Sequence, residues 1–238
     1  MELSSVNNDK VKFWASLKLK KYRDLHKKFL IEGDHLVNIA LSKGLVEELI
    51  CINDVYEFSN KYIVTEEIMR KISTQNSLSN VCAIASFFEE GINDGNAIVL
   101  DNLQDPGNLG TIIRSAVAFN FNNIILGNNT VDLYNEKVIR ATEGMCFNVS
   151  FKKLDLENNL GVLKDLGYKI IGTDVNSGDS IKKFKNEKLA IVIGNEGSGI
   201  SRNIECDNYV NIKMNSKCES LNAGICGSIL MYEVSNNE

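Results

Sequence analysis

The chain has 238 residues and a formal net charge of −5. Its hydrophobic fraction of 44% and charged fraction of 24% are those of a globular protein, which excludes disordered and fibrous classes. No apolar run approaches the roughly 18 residues that cross a bilayer. The polar stretch 1–10 lacks the apolar centre of a secretory signal, so a cytosolic location is expected.

The six cysteines stand at 51, 82, 146, 206, 218 and 226 with no CxxC spacing, and the only histidines are His26 and His35. Isolated reduced thiols are expected, not a zinc site or a disulfide framework. A histidine base would have to come from the N-terminal end, far from the motifs described below.

Charge is unevenly spread. From Lys10 to Lys28 eight basic residues face one acid, Asp24, so this segment carries +7 and the remainder −12. Trp14 and Tyr22 interleave with the cations, which suits base stacking and phosphate contact. Lys18, Lys20, Lys21 and Arg23 are the candidate nucleic-acid contacts. A solvated amphipathic helix over 10–28, with Leu17, Leu25 and Phe29 inward, explains the same pattern equally well.

In chain order, that helix is followed by an apolar Phe29-Leu-Ile-Glu-Gly33 stretch and a helix over 34–43. Apolar strands are expected at 46–52, 62–64 and 81–88, which makes residues 1–92 a small α/β domain. The segment 89–96, rich in acids, glycine and asparagine, reads as a linker. From 97 to 238 strand and helix patterns alternate. Strands are expected at 97–100, 123–126, 148–151, 168–173, 189–193 and 209–212, and helices at 108–119, 134–143, 157–166 and 220–233. Such alternation predicts a parallel sheet covered on both faces, with ligands at the carboxyl ends of its strands.

Three of the loops that follow those strands stand out. The first, Asp101 to Arg114, contains the only proline, Pro106. Its apolar stripe at 109, 112, 113, 116 and 117 predicts a helix with Asn108 at its N-cap and Arg114 on the polar face, solvated or ready for a phosphate. The second, Gly194-Asn-Glu196-Gly-Ser-Gly199, allows a ligand close to its backbone but is neither GxGxxG nor a P-loop. The third, Ile212 to Gly224, leads into a helix holding Gly224 and Gly227. Glycines there weaken a helix by about 1 kcal/mol each relative to alanine, which points to a close helix–helix contact, placed here across a dimer.

Taken together, the three loops resemble the signature motifs of the SPOUT methyltransferases, in the TrmH/SpoU branch of RNA ribose 2′-O-methyltransferases. The N-terminal segment with Lys20-Lys21-Tyr-Arg23 is similar to the small RNA-binding domain that precedes the catalytic domain in that family. The resemblance implies an α/β fold with a trefoil knot in 97–238, a homodimer, and S-adenosylmethionine as cofactor, without metal or membrane. It places cofactor contacts on Gly194, Ile212, Met214 and Leu221, and a catalytic and RNA-contacting set on Asn108, Arg114, Glu196, Ser220 and Asn222. Lys213 stands where the family usually has proline, Ser216 where it has glycine, and Gly224 where it has serine. The implied reaction is methylation of a ribose 2′-hydroxyl, in rRNA first and tRNA second. A non-catalytic RNA-binding protein retaining the fold is the rival from another class, and a base methyltransferase of the same superfamily is a third reading. Arg114 would position a phosphate and stabilise developing charge, since guanidinium stays protonated below pH ~12.

Overall fold

The computed structural model describes residues 1–75, 77–184 and 186–236. The chain divides into two units. The first comprises Met1–Phe88 with Asp132–Phe147, and the second Glu89–Val131 with the chain from Asn148 on.

The first unit begins with β1 (Glu2–Leu3), α1 (Asp9–Ser16), α2 (Lys20–His26) and β2 (Lys28–Glu32). It continues through α3 (Asp34–Ser42), β3 (Val46–Cys51), β4 (Lys61–Val64), α4 (Glu66–Ile72) and β5 (Val81–Ser86). The strands form one mixed sheet in the order β1-β4-β3-β5-β2, with β5 antiparallel to both β2 and β3. Trp14, Ile50, Ile68, Met69 and Ile84 are buried together on this sheet. The helix α4 was not anticipated, although Thr65 caps it by accepting from Ile68 N and two glutamates fill its first turn, a start signal legible in the sequence.

The expected helix over 10–28 is two helices. Leu19 is extended, and Lys27 closes α2 in the left-handed region at φ 53°. The break frees the carbonyls of Leu17 and Lys18, and the Arg23 guanidinium donates to both, at 2.9 and 2.7 Å. Leu17 and Phe29 are buried as expected, but Leu25 is exposed.

The second unit opens with β6 (Asn96–Leu100), α5 (Pro106–Ala118) and β7 (Phe121–Leu126). The chain then contributes α6 (Glu136–Ala141) to the first unit, where it packs on β2. The stretch Asp132–Phe147 thus belongs to the first unit, although alternation had set it within 97–238. The second unit resumes with β8 (Ser150–Lys153), α7 (Leu156–Asn159), α8 (Gly161–Asp165), β9 (Lys169–Thr173), β10 (Leu189–Ile193), β11 (Asn208–Val210) and α9 (Ala223–Ser235). Its six strands are all parallel, in the order β11-β9-β10-β6-β7-β8. The single helix expected over 157–166 is the pair α7 and α8.

The stretch 89–96 is anchored instead of free. Asn123 is fully buried, its Oδ1 accepts from Asn93 N at 2.7 Å, and its Nδ2 donates to the Asn93 carbonyl at 3.0 Å and to the Tyr168 hydroxyl at 3.1 Å.

Candidate active site

A parallel sheet leaves strand-end carbonyls and amides converging at one edge, and ligands collect there. In the second unit, the loops after β9, β10 and β11 enclose a cavity of about 710 Å³. Its floor is the glycine loop after β10. A Cβ on Gly194 would lie 2.3 Å from the Gly199 carbonyl carbon and 2.4 Å from Ile200 N, so only glycine fits. Reciprocal bonds between Asn195 and Gly199, at 3.0 and 2.9 Å, close the turn, and Gly199 takes φ +68°.

All four sequence-derived cofactor candidates, Gly194, Ile212, Met214 and Leu221, line this cavity, as do Glu196 and Ser220. Asn108 does not line it but is joined to it. Its Nδ2 donates to Glu196 Oε1 at 2.7 Å, and the residue is 7% exposed. The expected N-cap role falls instead to Asp105, whose Oδ1 accepts from Asn108 N at 2.7 Å, with Pro106 in the first turn. That frees the Asn108 amide to reach across to Glu196.

Asn222 caps α9 by accepting from Ile225 N at 3.2 Å. A Cβ on Gly224 would stand 3.2 Å from Asn108 Oδ1, Asn222 Oδ1 and the Thr111 Cβ alike. The serine usual at this position would crowd all three, so Gly224 suits the close approach of α9 to α5. Gly227 faces Ile112 and Ile193, and Ser228 meets the Ser115 hydroxyl at 2.7 Å. The close helix contact expected across a dimer is therefore made within one chain.

Arg114 is not brought to the cavity wall. It sits on α5 six residues beyond Asn108, roughly 9 Å along the axis. Its side chain is exposed and makes no hydrogen bond or ion pair among the described residues.

The candidate RNA contacts of the first unit are largely occupied. Arg23 is 4% exposed, and its Nη2 donates to Asp132 Oδ2 at 2.6 Å. The Lys18 ammonium donates to the Lys71 carbonyl at 2.5 Å, and burial lowers its pKa. Lys20 pairs with Asp24 at 2.6 Å. Of these four, only Lys21 is exposed without a charged partner among the described residues, its ammonium 5.7 Å from the Tyr22 ring centre. Trp14 cannot stack on a base, because it is fully buried and its Nε1 donates to Glu48 at 2.8 Å.

The sequence reading missed Asp101 and Asn195, which tie the glycine loop to the loop after β6, and Asp174, which lines the cavity after β9. An asparagine between two turn glycine positions was the available signal. Cys226 also lines the cavity, and burial pushes its thiol up to about 11.

Residues 95–232 match the SpoU rRNA Methylase family, and residues 8–83 match the MRM3-like substrate binding domain. This chain belongs to the SpoU rRNA methylase family. It is 31% identical to the 23S rRNA (guanosine(2553)-2′-O)-methyltransferase RlmP of Bacillus subtilis, over 98% of each chain. An AdoMet-bound rRNA methyltransferase from Sinorhizobium meliloti superposes with a TM-score of 0.87 at 26% identity, covering 98% of this chain and 97% of that one. The SpoU methyltransferase AviRb from Streptomyces viridochromogenes, at 22% identity and a TM-score of 0.84, shares the fold over 96% and 97% of the two chains. The SpoU match takes in the parallel sheet, the glycine loop, most of α9 and the stretch Asp132–Phe147, and the second match lies within Met1–Phe88 of the first unit.

Proposed function

We propose that this SpoU-family protein methylates a ribose 2′-hydroxyl of ribosomal RNA, using S-adenosylmethionine. The observation that carries this reading is the cavity itself. Its glycine-floored wall adjoins the Asn108–Glu196 hydrogen bond, so a small-molecule site and a polar site for a hydroxyl share one loop. The residues present suit the cofactor. The volume falls in the range that encloses a nucleoside-sized ligand, Gly194 exposes backbone, and Ile212 and Leu221 offer apolar walls. When bound, S-adenosylmethionine supplies an electrophilic methyl group on a sulfonium.

Gly194, Ile212, Met214 and Leu221 hold the cofactor. Glu196, steadied by Asn108, orients the ribose hydroxyl, with Ser220 and Asn222 supplying further hydrogen bonds. Arg114 receives an RNA phosphate and stabilises charge that develops as the hydroxyl loses its proton. Of the N-terminal set, Lys21 and Lys20 remain the candidates for backbone contact, with Lys18 and Arg23 acting mainly inside the unit.

The active form is a homodimer in the cytoplasm. In support, α9 is largely apolar: Gly224, Gly227 and Ser228 face α5, while Ile225 and Tyr232 are each 50% exposed, the Tyr232 ring resting edge-on against Phe119 at the end of α5. A trefoil thread of the C-terminal chain belongs to the same reading. It is supported by the path of α9, which packs against α5, β10 and the turn Ile181–Phe184.

The test is transfer of a tritiated methyl group to unmodified 23S rRNA and to tRNA, followed by mapping of 2′-O-methyl sites. Incorporation into tRNA alone would overturn the rRNA assignment. No incorporation into either would favour the non-catalytic reading.

A further inference from the structure

The floor of the cofactor cavity does not stand by itself. The glycine loop 194–201 is tied to the loop after β6 at two points. Asn195 Nδ2 donates to the Asn102 carbonyl at 3.0 Å. On the far side, Asp101 Oδ2 accepts from Ser201 N at 2.7 Å. Asn195 also shapes the loop from within, because its Oδ1 accepts from Gly197 N at 2.9 Å and from Ser198 N at 3.2 Å. Asn102 takes φ 56°, a left-handed conformation that asparagine tolerates. Asp101 is 6% exposed and has no cationic partner among the described residues. A buried carboxylate is costly unless its hydrogen bonds serve a fixed arrangement.

We infer that Asn195 and Asp101 are positioning residues, forming a two-point latch that holds the glycine loop in the shape that receives S-adenosylmethionine. Neither is a catalytic residue. Asp101 does not line the cavity; Asn195 does, but its side-chain amide donates to the Asn102 carbonyl and its oxygen accepts from Gly197 N and Ser198 N. The latch also joins the cavity floor to the segment that leads into α5, the helix bearing Asn108 and Arg114. Loosening it frees the backbone around Gly194 to sample other shapes, and the cofactor must then reorder it on binding.

Calorimetric affinity for S-adenosylmethionine is the primary measurement, beside steady-state kinetics with RNA. Asn195→Ala should weaken cofactor affinity about tenfold, the size of one net hydrogen bond. The KM for cofactor should rise in parallel, with kcat at saturating cofactor unchanged. Asn195→Asp should fare no better, because it keeps the acceptor but loses the donor and sets a carboxylate against the Asn102 carbonyl. Asp101→Ala should weaken binding similarly, whereas Asp101→Asn should retain near-normal affinity through its amide oxygen. A merely structural role would lower the folded fraction, and so kcat, while leaving KM unmoved. Amide exchange at Gly197 and Ser201 in the free protein should quicken in the Ala variants.

The inference rests on the cavity being the cofactor site, so wild-type binding is measured first. Its absence would overturn that reading and this one together. Wild-type binding with unchanged affinity in Asn195→Ala, or Asp101→Asn as weak as Asp101→Ala, would overturn the latch alone.

Discussion

Arg23 spends both arms of its guanidinium inside the first unit, Nη2 on Asp132 and Nη1 on the carbonyls of Leu17 and Lys18. The side chains of the ion pair are only 5% and 8% exposed. Removing one member strands a buried charge, so Arg23→Ala should destabilise the protein by about 3–5 kcal/mol in urea denaturation. A loss below ~1 kcal/mol, the value of a surface pair, would reopen its role in binding RNA. Arg114 has the same chemistry and opposite surroundings: it is exposed and unpartnered among the described residues. Arg114→Ala should lower kcat about 100- to 1,000-fold, as loss of a transition-state charge partner does, with calorimetric cofactor affinity intact. Arg114→Lys should restore little, because an ammonium lacks the planar fork that grips a phosphate. Near-normal turnover in Arg114→Ala would return it to a solvated helix position. Neither arginine's sequence neighbours reveal its fate; the distant Asp132 buries Arg23, and Arg114 meets no such partner among the described residues.

Among the helices, α9 shows how composition and packing divide the work. Its small residues Gly224, Gly227 and Ser228 face α5, with Ile112 3.4 Å from where a Cβ on Gly227 would stand. Gly227→Leu should therefore overpack the helix pair and lower stability by about 1–3 kcal/mol, read by thermal denaturation. Sedimentation should show the oligomeric state unchanged wherever the variant stays folded. Association should depend instead on the outer side. Ile225→Asp should yield monomers at micromolar concentration while keeping the melting temperature of a folded chain, and it leaves in place Tyr232, whose ring meets Phe119 at 5.6 Å. Wild-type monomer under the same conditions would remove the dimer from the mechanism. That the helix is close-packed was legible in its glycines. Which helix it approaches was not, because a stripe of small residues names no partner.

At the scale of the whole molecule, the +7 segment is less basic in space than in sequence. Glu48, Asp9, Asp24 and Asp132 approach Lys10, Lys12, Lys20 and Arg23. Two of these acids, Glu48 and Asp132, lie far along the chain. The salt dependence of RNA binding measures what remains. Lys20→Ala with Lys21→Ala should flatten the slope of log affinity against log salt by ~0.7 for each single-strand phosphate that the variant no longer neutralises, without altering cofactor affinity. An unchanged slope would move the RNA-binding surface elsewhere on the protein. The variant avoids Arg23, whose loss would confound binding with unfolding.

Periodicity and punctuation were enough to find the parallel-sheet strands, α5, α9 and the three loops that follow strands, because these depend on local spacing and on residues with special backbone freedom. The loops that carry the four cofactor candidates were legible in the same way, whereas the choice of Gly194, Ile212, Met214 and Leu221 within them came from the resemblance to the SPOUT motifs. Tertiary structure decided three other things. Asp132–Phe147 packs with the first unit, since α6 finds its partner on β2. The helix over 10–28 breaks because Arg23 can satisfy the carbonyls that the break exposes. Asn108 turns from a cap into the support of Glu196 because Asp105 takes the cap, and Glu196 arrives from 88 residues away. Local sequence specifies which conformations a segment can hold; burial, ion pairing and hydrogen-bond partners drawn from distant segments select among them.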